Sequence, residues 1–412
     1  MAVFRAFRAF RPAKGNENYI PELPYDVMSS DEARDVAKGN DLSFLHVDKA
    51  EIDLPLGTDL YDKKVYEKAN ENLLKLENTG ALVQDETPCF YIYKQVMNGR
   101  SQVGIAGCAS IDDYEDNVIK KHENTLAKKE LDRINHVKTT NANTGPIFLT
   151  YRNKAEINAF TQKYMAENEP VYNFVHNGVR QTVWVVSNAE FTENLTALFA
   201  DVSCFYIADG HHRCKSAVRV GQMKRQEKGR YTGEEEFNFF LAVAFPDSEL
   251  EIMDYNRVVR DLNGLTSEQF INELSKDFTV EKATGQYKPN KKHNFGMLLD
   301  RQWYSVTAKE GVANEDDPVG RLDVSILQVR VLAPILGITD PRHSDRIDFI
   351  GGIRGLGELE RRTKTDMRVA FAMFPTTIDE LMDIADAGEI MPQKSTWFEP
   401  KLLSGLFIHH LD

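Results

Sequence analysis

Along the chain, short apolar runs bounded by turn residues alternate with stretches of helical periodicity. "VFRAF" near the N-terminus alternates as a strand does. From Cys89, "CFYIYKQVMNGRSQVGIAGCASI" predicts two strands around Asn98-Gly99, one of the stronger short hairpin signals. The charged stretch 112–137 predicts a helix, with Ser110 and Asp113 as its capping box. "PIFLTY" and "TVWVV" read as buried strands and "EFTENLTALFA" as a helix. In "FYIADGHHRCKSA", residues 205–217, an apolar strand stops at an Asp-Gly turn and enters a helix whose small apolar residues recur at Cys214, Ala217 and Val218.

Past Gly233 the pattern continues with the strands "FNFFLAVAFP" and "LEIMDYNRVV" and the hairpin "FGMLLDRQWYSVTA", preceded by the basic loop "KPNKKHN". "LDVSILQVRVLAPILG" predicts a buried helix with Pro334 near its end and Gly337 as C-cap. "VAFAMFP", the helix "TIDELMDIADAG" and the segment "MPQKSTWFEPKLLSGLFIHHLD" close the chain. Strands and helices interleave irregularly, which predicts an α/β fold of mixed α+β type around a mixed sheet. The expected division is an N-terminal section, 1–232, and a C-terminal section, 233–412, packed against it.

Composition narrows the function classes. With 412 residues and 42% hydrophobic content, the chain has ample material for a core. Its 50 Lys and Arg against 63 Asp and Glu leave a formal charge of −13, which opposes broad association with nucleic acid or a membrane surface. Any phosphate site must therefore be a local pocket, and the expected partner is a small-molecule substrate. No apolar run approaches a membrane span. The Arg- and Phe-rich N-terminus lacks the apolar core of a secretory signal. Four cysteines without CxxC spacing fit a reduced, cytoplasmic protein. The pattern leaves the oligomeric state open; an oligomer is compatible with it.

Against that background "ADGHHR" stands out. A helix start favours acids, because its free N–H groups and dipole are positive, yet His211, His212 and Arg213 occupy it. An anion resolves the conflict: Gly210 lets it approach the main chain, and Arg213 can grip phosphate with two hydrogen bonds. The plainer alternative makes Asp209 an N-cap for His211 or His212 and the basic residues a solvated surface. A metal held by both histidines is awkward, since adjacent helix positions point about 100° apart. In "IKKHENTLAKKELDR", Glu123 is the candidate base for a hydroxyl proton, and His122 and Asp209 complete the catalytic candidates. The competing reading of that segment is a salt-bridged helix face, with Asn124-Thr125 marking a break. "MPQKSTWFEPK" presents Lys394 and Lys401 on a proline-stiffened loop that can close over phosphates, or serves as a strap over a sheet edge. Asp26, after "ELPY", either binds Mg²⁺ beside a substrate phosphate or caps the helix of "SSDEARDVAKG". "GGIRGLGE" lacks the GxGxxG spacing, and no GxxxxGK[ST] occurs.

Taken together, "YIADGHHR", "IKKHENT", "PYDV", "LDVSIL" and "MPQKSTWFEPKLLSGL" resemble, over nearly the whole chain, a bacterial and archaeal family known as a domain of unknown function. More distantly, the strand–turn–helix around Asp209 is similar to the nucleotide-binding motif of the ParB/sulfiredoxin superfamily, which includes a partition CTPase, sulfiredoxin and a kinase of free serine. The resemblance implies phosphate contacts for Gly210, His211, His212 and Arg213, with Asp209 shaping the turn. It implies ATP or ADP with Mg²⁺ as cofactors and phosphorylation of a small hydroxyl compound, free L-serine first. The alternative is a nucleotide-binding regulatory or ParB-like switch without kinase activity. Where the family leads one to expect Pro-Thr-His-Arg, this chain has "IMDYNR", so only Arg257 is retained. Sulfiredoxin chemistry would want a cysteine in the turn, and Cys214 is already on the helix.

Overall fold

The computed structural model describes residues 2–412. Its larger sheet has nine strands: β1 (Phe4–Arg5), β2 (Phe90–Met97), β3 (Arg100–Ser110), β4 (Ile119–Lys120), β5 (Ile147–Tyr151), β6 (Tyr172–His176), β7 (Val179–Val186), β8 (Phe205–Asp209) and β9 (Phe239–Pro246). The order is β4-β8-β5-β9-β3-β2-β7-β6, with β1 also paired to β3. Two pairings are parallel, β8 with β4 and β9 with β5, and the rest are antiparallel, so the sheet is mixed. The unbroken apolar run of β9 is buried along its whole length, as a strand covered on both faces requires. Asn98 and Gly99 both take positive φ, 52° and 82°, which is the tight turn that joins β2 to β3.

Three helices matter for the site: α1 (Ala127–Thr140), α2 (Ala189–Ala200) and α3 (His211–Lys228). Phe199 of α2 and Val218 of α3 enter one core with Phe4, Phe90, Leu149, Phe205 and Ile207. Close approach of α3 depends on Gly221, where a Cβ would lie 2.4 Å from the carbonyl oxygen of Phe237.

The expected helix over 112–137 is instead a short helix Ile111–Glu115, strand β4, a loop over 121–126 and then α1. Ile119 is fully buried and pairs with Phe205, so sheet burial overrides the helical propensity of the flanking charges. Ser110 caps the short helix by accepting from the N–H of Asp112, without a capping box. Asp113 instead accepts from the N–H of Val3 at 2.6 Å.

The chain forms two compact units, one running to Leu250 and resuming over Pro400–Asp412, the other Glu251–Glu399. The division therefore falls at 250/251 and not at 232/233, because β9 lies inside the first sheet. It also splits the closing segment, leaving Lys394 in the second unit and Lys401 in the first.

The second unit has an antiparallel sheet of β10 (Tyr255–Val259), β11 (Phe278–Lys282), β12 (Asn294–Leu299), β13 (Gln302–Ala308), β14 (Ile347–Gly351) and β15 (Val369–Ala372), in the order β11-β13-β12-β15-β10-β14. Helix α4 (Gly355–Thr365) contributes Leu359 to a core with Val258, Leu298 and Ile350. The expected helix 322–337 begins as Asp323–Leu327, widens to a π-turn over Gln328–Leu332 and ends before Gly337, at φ 69°. At the ends of this unit, Ile252 and Met253 pair antiparallel with Phe398 and Trp397.

Candidate functional site

Strand β8 carries an irregularity just before its end: Ile207 pairs with Leu149 and Asp209 with Phe148, so Ala208 is an extra residue. Such a bulge re-aims the following side chain. Gly210 then turns the chain at φ 90° and opens α3 without a side-chain cap. Asp209 is not the cap that one reading of the sequence made it. One of its oxygens accepts from the N–H of Gly210 at 2.8 Å, the other from Lys401 Nζ at 2.9 Å. Burial works to raise its pKa, but Lys401 and Arg213 prevail and hold the carboxyl well below the usual range.

Arg213 folds back over the turn. Its Nη1 donates to the carbonyl of Pro146 at 2.7 Å, and its Nε would stand 3.2 Å from a Cβ placed on Gly210. That Nε is buried and makes no hydrogen bond. The missing Cβ of Gly210 therefore makes room for a guanidinium over the turn.

The loop 121–126 supplies the opposite wall. His122 is buried with neither ring nitrogen bonded, and His211 is buried with Nε2 unbonded. The two rings meet edge to face at 4.4 Å. Burial, opposed by the nearby Asp209, pushes His122 down to about 4, and burial with the His122 neighbour lowers His211 as well. Both imidazoles are neutral at pH 7. Glu123 places Oε2 3.5 Å from Nδ1 of His211. His212 accepts from the N–H of Leu126 at 3.0 Å, which ties the loop to α3. The competing salt-bridged helix face is present in part: Lys128 and Lys129 are exposed on α1, while Asp132 pairs with Arg133 at 2.8 Å and accepts from Tyr66, and Glu130 pairs with Lys215 of α3 at 3.0 Å.

Next to Arg213 lies a polar cavity of about 30 Å³, lined among others by Tyr25, Asp48, Arg133, His136 and Thr144. Arg133 lies over the Tyr25 ring at 4.0 Å, and Thr144 donates to Asp48 at 2.8 Å. Room for about one water suits a small polar group, not a nucleotide. Tyr25 lies in the "PYDV" segment, but Asp48, His136 and Thr144 carried no signal in the sequence, since nothing local marks residues that converge from separate segments.

Of the predicted residues, Glu123, His122, Asp209, Gly210, His211, His212, Arg213 and Lys401 gather at this turn. Lys394 belongs to the second unit, where its carbonyl accepts from Arg257 at 2.9 Å. Asp26 is exposed and does not cap; Ser29 does, in a capping box with Glu32. Asp26 nevertheless acts on the site, as the leading charge that raises Arg213 against the effect of burial. Among the described residues no group of three His, Cys, Asp or Glu can hold a metal ion. The thiol of Cys214 is fully buried and burial pushes its pKa up, which removes it from nucleophilic chemistry.

A family model described as "Protein of unknown function (DUF1015)" matches residues 4–325. The chain belongs to the DUF1015 family. That match includes the Asp209 turn and the 121–126 loop and stops short of Lys394 and Lys401. No curated protein matches this DUF1015 chain significantly. Among solved structures it is similar to a free serine kinase in complex with AMP, at 13% identity and TM-score 0.34, covering 70% of this chain and 85% of that one. A variant of a free serine kinase in complex with ADP gives 12% identity and TM-score 0.35, covering 74% and 90%. SbnI from Staphylococcus aureus, truncated at its C-terminus, gives 11% and 0.39, covering 73% and 85%. At these TM-scores the likeness is partial. Among the described residues no helix of this family member is long and apolar enough to cross a membrane.

Proposed function

We propose that this DUF1015 protein is a small-molecule phosphotransferase that binds ATP or ADP at the Asp209–Arg213 turn. One observation carries the reading. The uncapped start of α3 is surrounded by buried polar nitrogens without partners: Arg213 Nε, His211 Nε2 and both nitrogens of His122. Leaving such groups unmet costs about 1–3 kcal/mol each, and an oxyanion at the helix start would meet those that carry a hydrogen, Arg213 Nε first. A nucleotide phosphate therefore fits the residues present.

A bound nucleotide would supply the phosphoryl group, and Asp26 is the carboxylate that would help to hold Mg²⁺, whose charge would offset that of the phosphates. The first-turn N–H groups of α3 and Arg213 hold the phosphate oxygens. Lys401, half-buried on Asp209, moves its ammonium to the charge that develops on the leaving oxygen. Glu123 takes the acceptor's hydroxyl proton as the new O–P bond forms and the nucleotide's P–O bond breaks. Neutral His211 turns its one N–H, on Nδ1, toward the Glu123 carboxylate without adding a cation. Free L-serine is the acceptor the sequence resemblance favours, giving O-phosphoserine.

The test is incubation with ATP or ADP, Mg²⁺ and a pool of amino acids and hydroxy compounds, followed by mass spectrometry. A phosphorylated hydroxyl compound is expected, serine first, and Arg213→Ala is expected to weaken nucleotide binding by about 1.5–3 kcal/mol. Tight nucleotide binding with no phosphorylated acceptor would turn the reading into that of a switch.

A further inference from the structure

The second unit buries a charge that the proposed phosphotransferase site does not use. Arg257, on β10, is 3% exposed. A guanidinium has five N–H donors, and two are accounted for here: Nη1 donates to the carbonyl of Tyr255, and Nη2 to that of Lys394 at 2.9 Å. Phe349 lies 5.4 Å from the guanidinium carbon. Among the described residues no carboxylate pairs with it, and burial lowers its pKa to about 10 with only Tyr255 opposing. An interior cation satisfied by carbonyls alone retains most of its desolvation penalty.

The segment above it is held in an unusual shape. Lys394 adopts φ 60°, the left-handed region that a lysine rarely enters, and its side chain is exposed with Nζ 5.7 Å from the Tyr255 ring. Three hydrogen bonds fix that turn. They are the one from Arg257, one from Ser395 Oγ to Pro392 at 2.5 Å, and one from Thr376 to the carbonyl of Ser395 at 3.1 Å. Strain that is this firmly held is found at ligand clamps. Trp397, edge-on to Tyr255 at 5.1 Å, walls the same place.

We propose that Arg257 and Lys394 form an anion seat of the second unit that receives a phosphoryl group. Arg257 would supply fixed donors and Lys394 a mobile ammonium, the division of labour by which these two side chains recognise phosphate. This seat does not depend on the phosphotransferase reading of the first unit.

The experiment measures pyrophosphate-dependent stabilisation of the full chain at constant ionic strength, for the wild type, Arg213→Ala, Arg257→Met and the double variant. Part of the melting shift should survive in Arg213→Ala and vanish in the double variant, while ligand-free Arg257→Met melts no lower than the wild type because a buried unpaired charge has gone. Lys394→Ala, at an exposed position, should weaken pyrophosphate binding in the Arg213→Ala background about tenfold, the worth of one charged hydrogen bond. If Arg257→Met lowers the ligand-free melting point and leaves the pyrophosphate shift intact, Arg257 is only a clamp on carbonyls. Loss of the whole shift in Arg213→Ala alone, or no shift in the wild type, equally removes the seat. A shift unaffected by Arg213→Ala but abolished by Arg257→Met would retain this seat and remove the phosphate site proposed on α3.

Discussion

His122 shows how one buried side chain sets a pH dependence. An unfolded histidine titrates near 6.5, whereas burial holds His122 at about 4 in the folded chain. Between those values the unfolded state binds more protons, so stability falls as pH drops from about 6.5 to 4 and then levels off. The loss from His122 alone is at most about 3 kcal/mol, and His211, lowered for the same reason, adds to it. Asp209 acts in another window. Its pKa is depressed, so the stability it contributes is complete above the ordinary carboxylate range and disappears only in stronger acid. Urea midpoints measured from pH 7.5 to 4 should therefore fall, and His122→Phe should flatten the fall while keeping the edge-to-face contact. An unchanged slope in that variant would place the proton uptake elsewhere.

At the level of elements, legibility followed the range of the interaction. The β2–β3 hairpin was readable because Asn98-Gly99 is local turn chemistry, and the β8–α3 turn because a cationic helix start contradicts the backbone's own field. Residues 112–137 misled because Lys, Glu, Leu and Ala favour helix on average, whereas the sheet claims Ile119 through a strand 86 residues downstream, at Phe205. Lys401 and Asp209 were each identified as site candidates, but their pairing across 192 residues has no local signature. The cavity beside Arg213 was invisible for the same reason. Packing of α3 gives a direct check. Gly221→Ala gains about 1 kcal/mol of helix propensity but drives a methyl to 2.4 Å from a backbone oxygen that cannot turn aside. Overpacking of about 1–3 kcal/mol should win, seen as a lower urea midpoint. A rise would mean that α3 lifts freely from Phe237.

For the whole molecule, the second unit is a continuous insertion, Glu251–Glu399, whose ends are joined by the ladder of Ile252–Met253 with Trp397–Phe398. Antiparallel partners lie about 5 Å apart, so a linker of about four residues can replace the insertion. A chain joined in this way from Leu250 to Pro400 should unfold cooperatively and retain pyrophosphate binding that Arg213→Ala weakens. A collapsed product without a cooperative transition would show that the first unit depends on the insertion. Synthesis adds a constraint of timing. The ribosome releases the Asp209 turn long before Lys401, so the cation that pairs with this carboxylate arrives 192 residues later. Until Lys401 has been made, the nascent chain carries a finished insertion and an Asp209 turn that still lacks its ammonium partner.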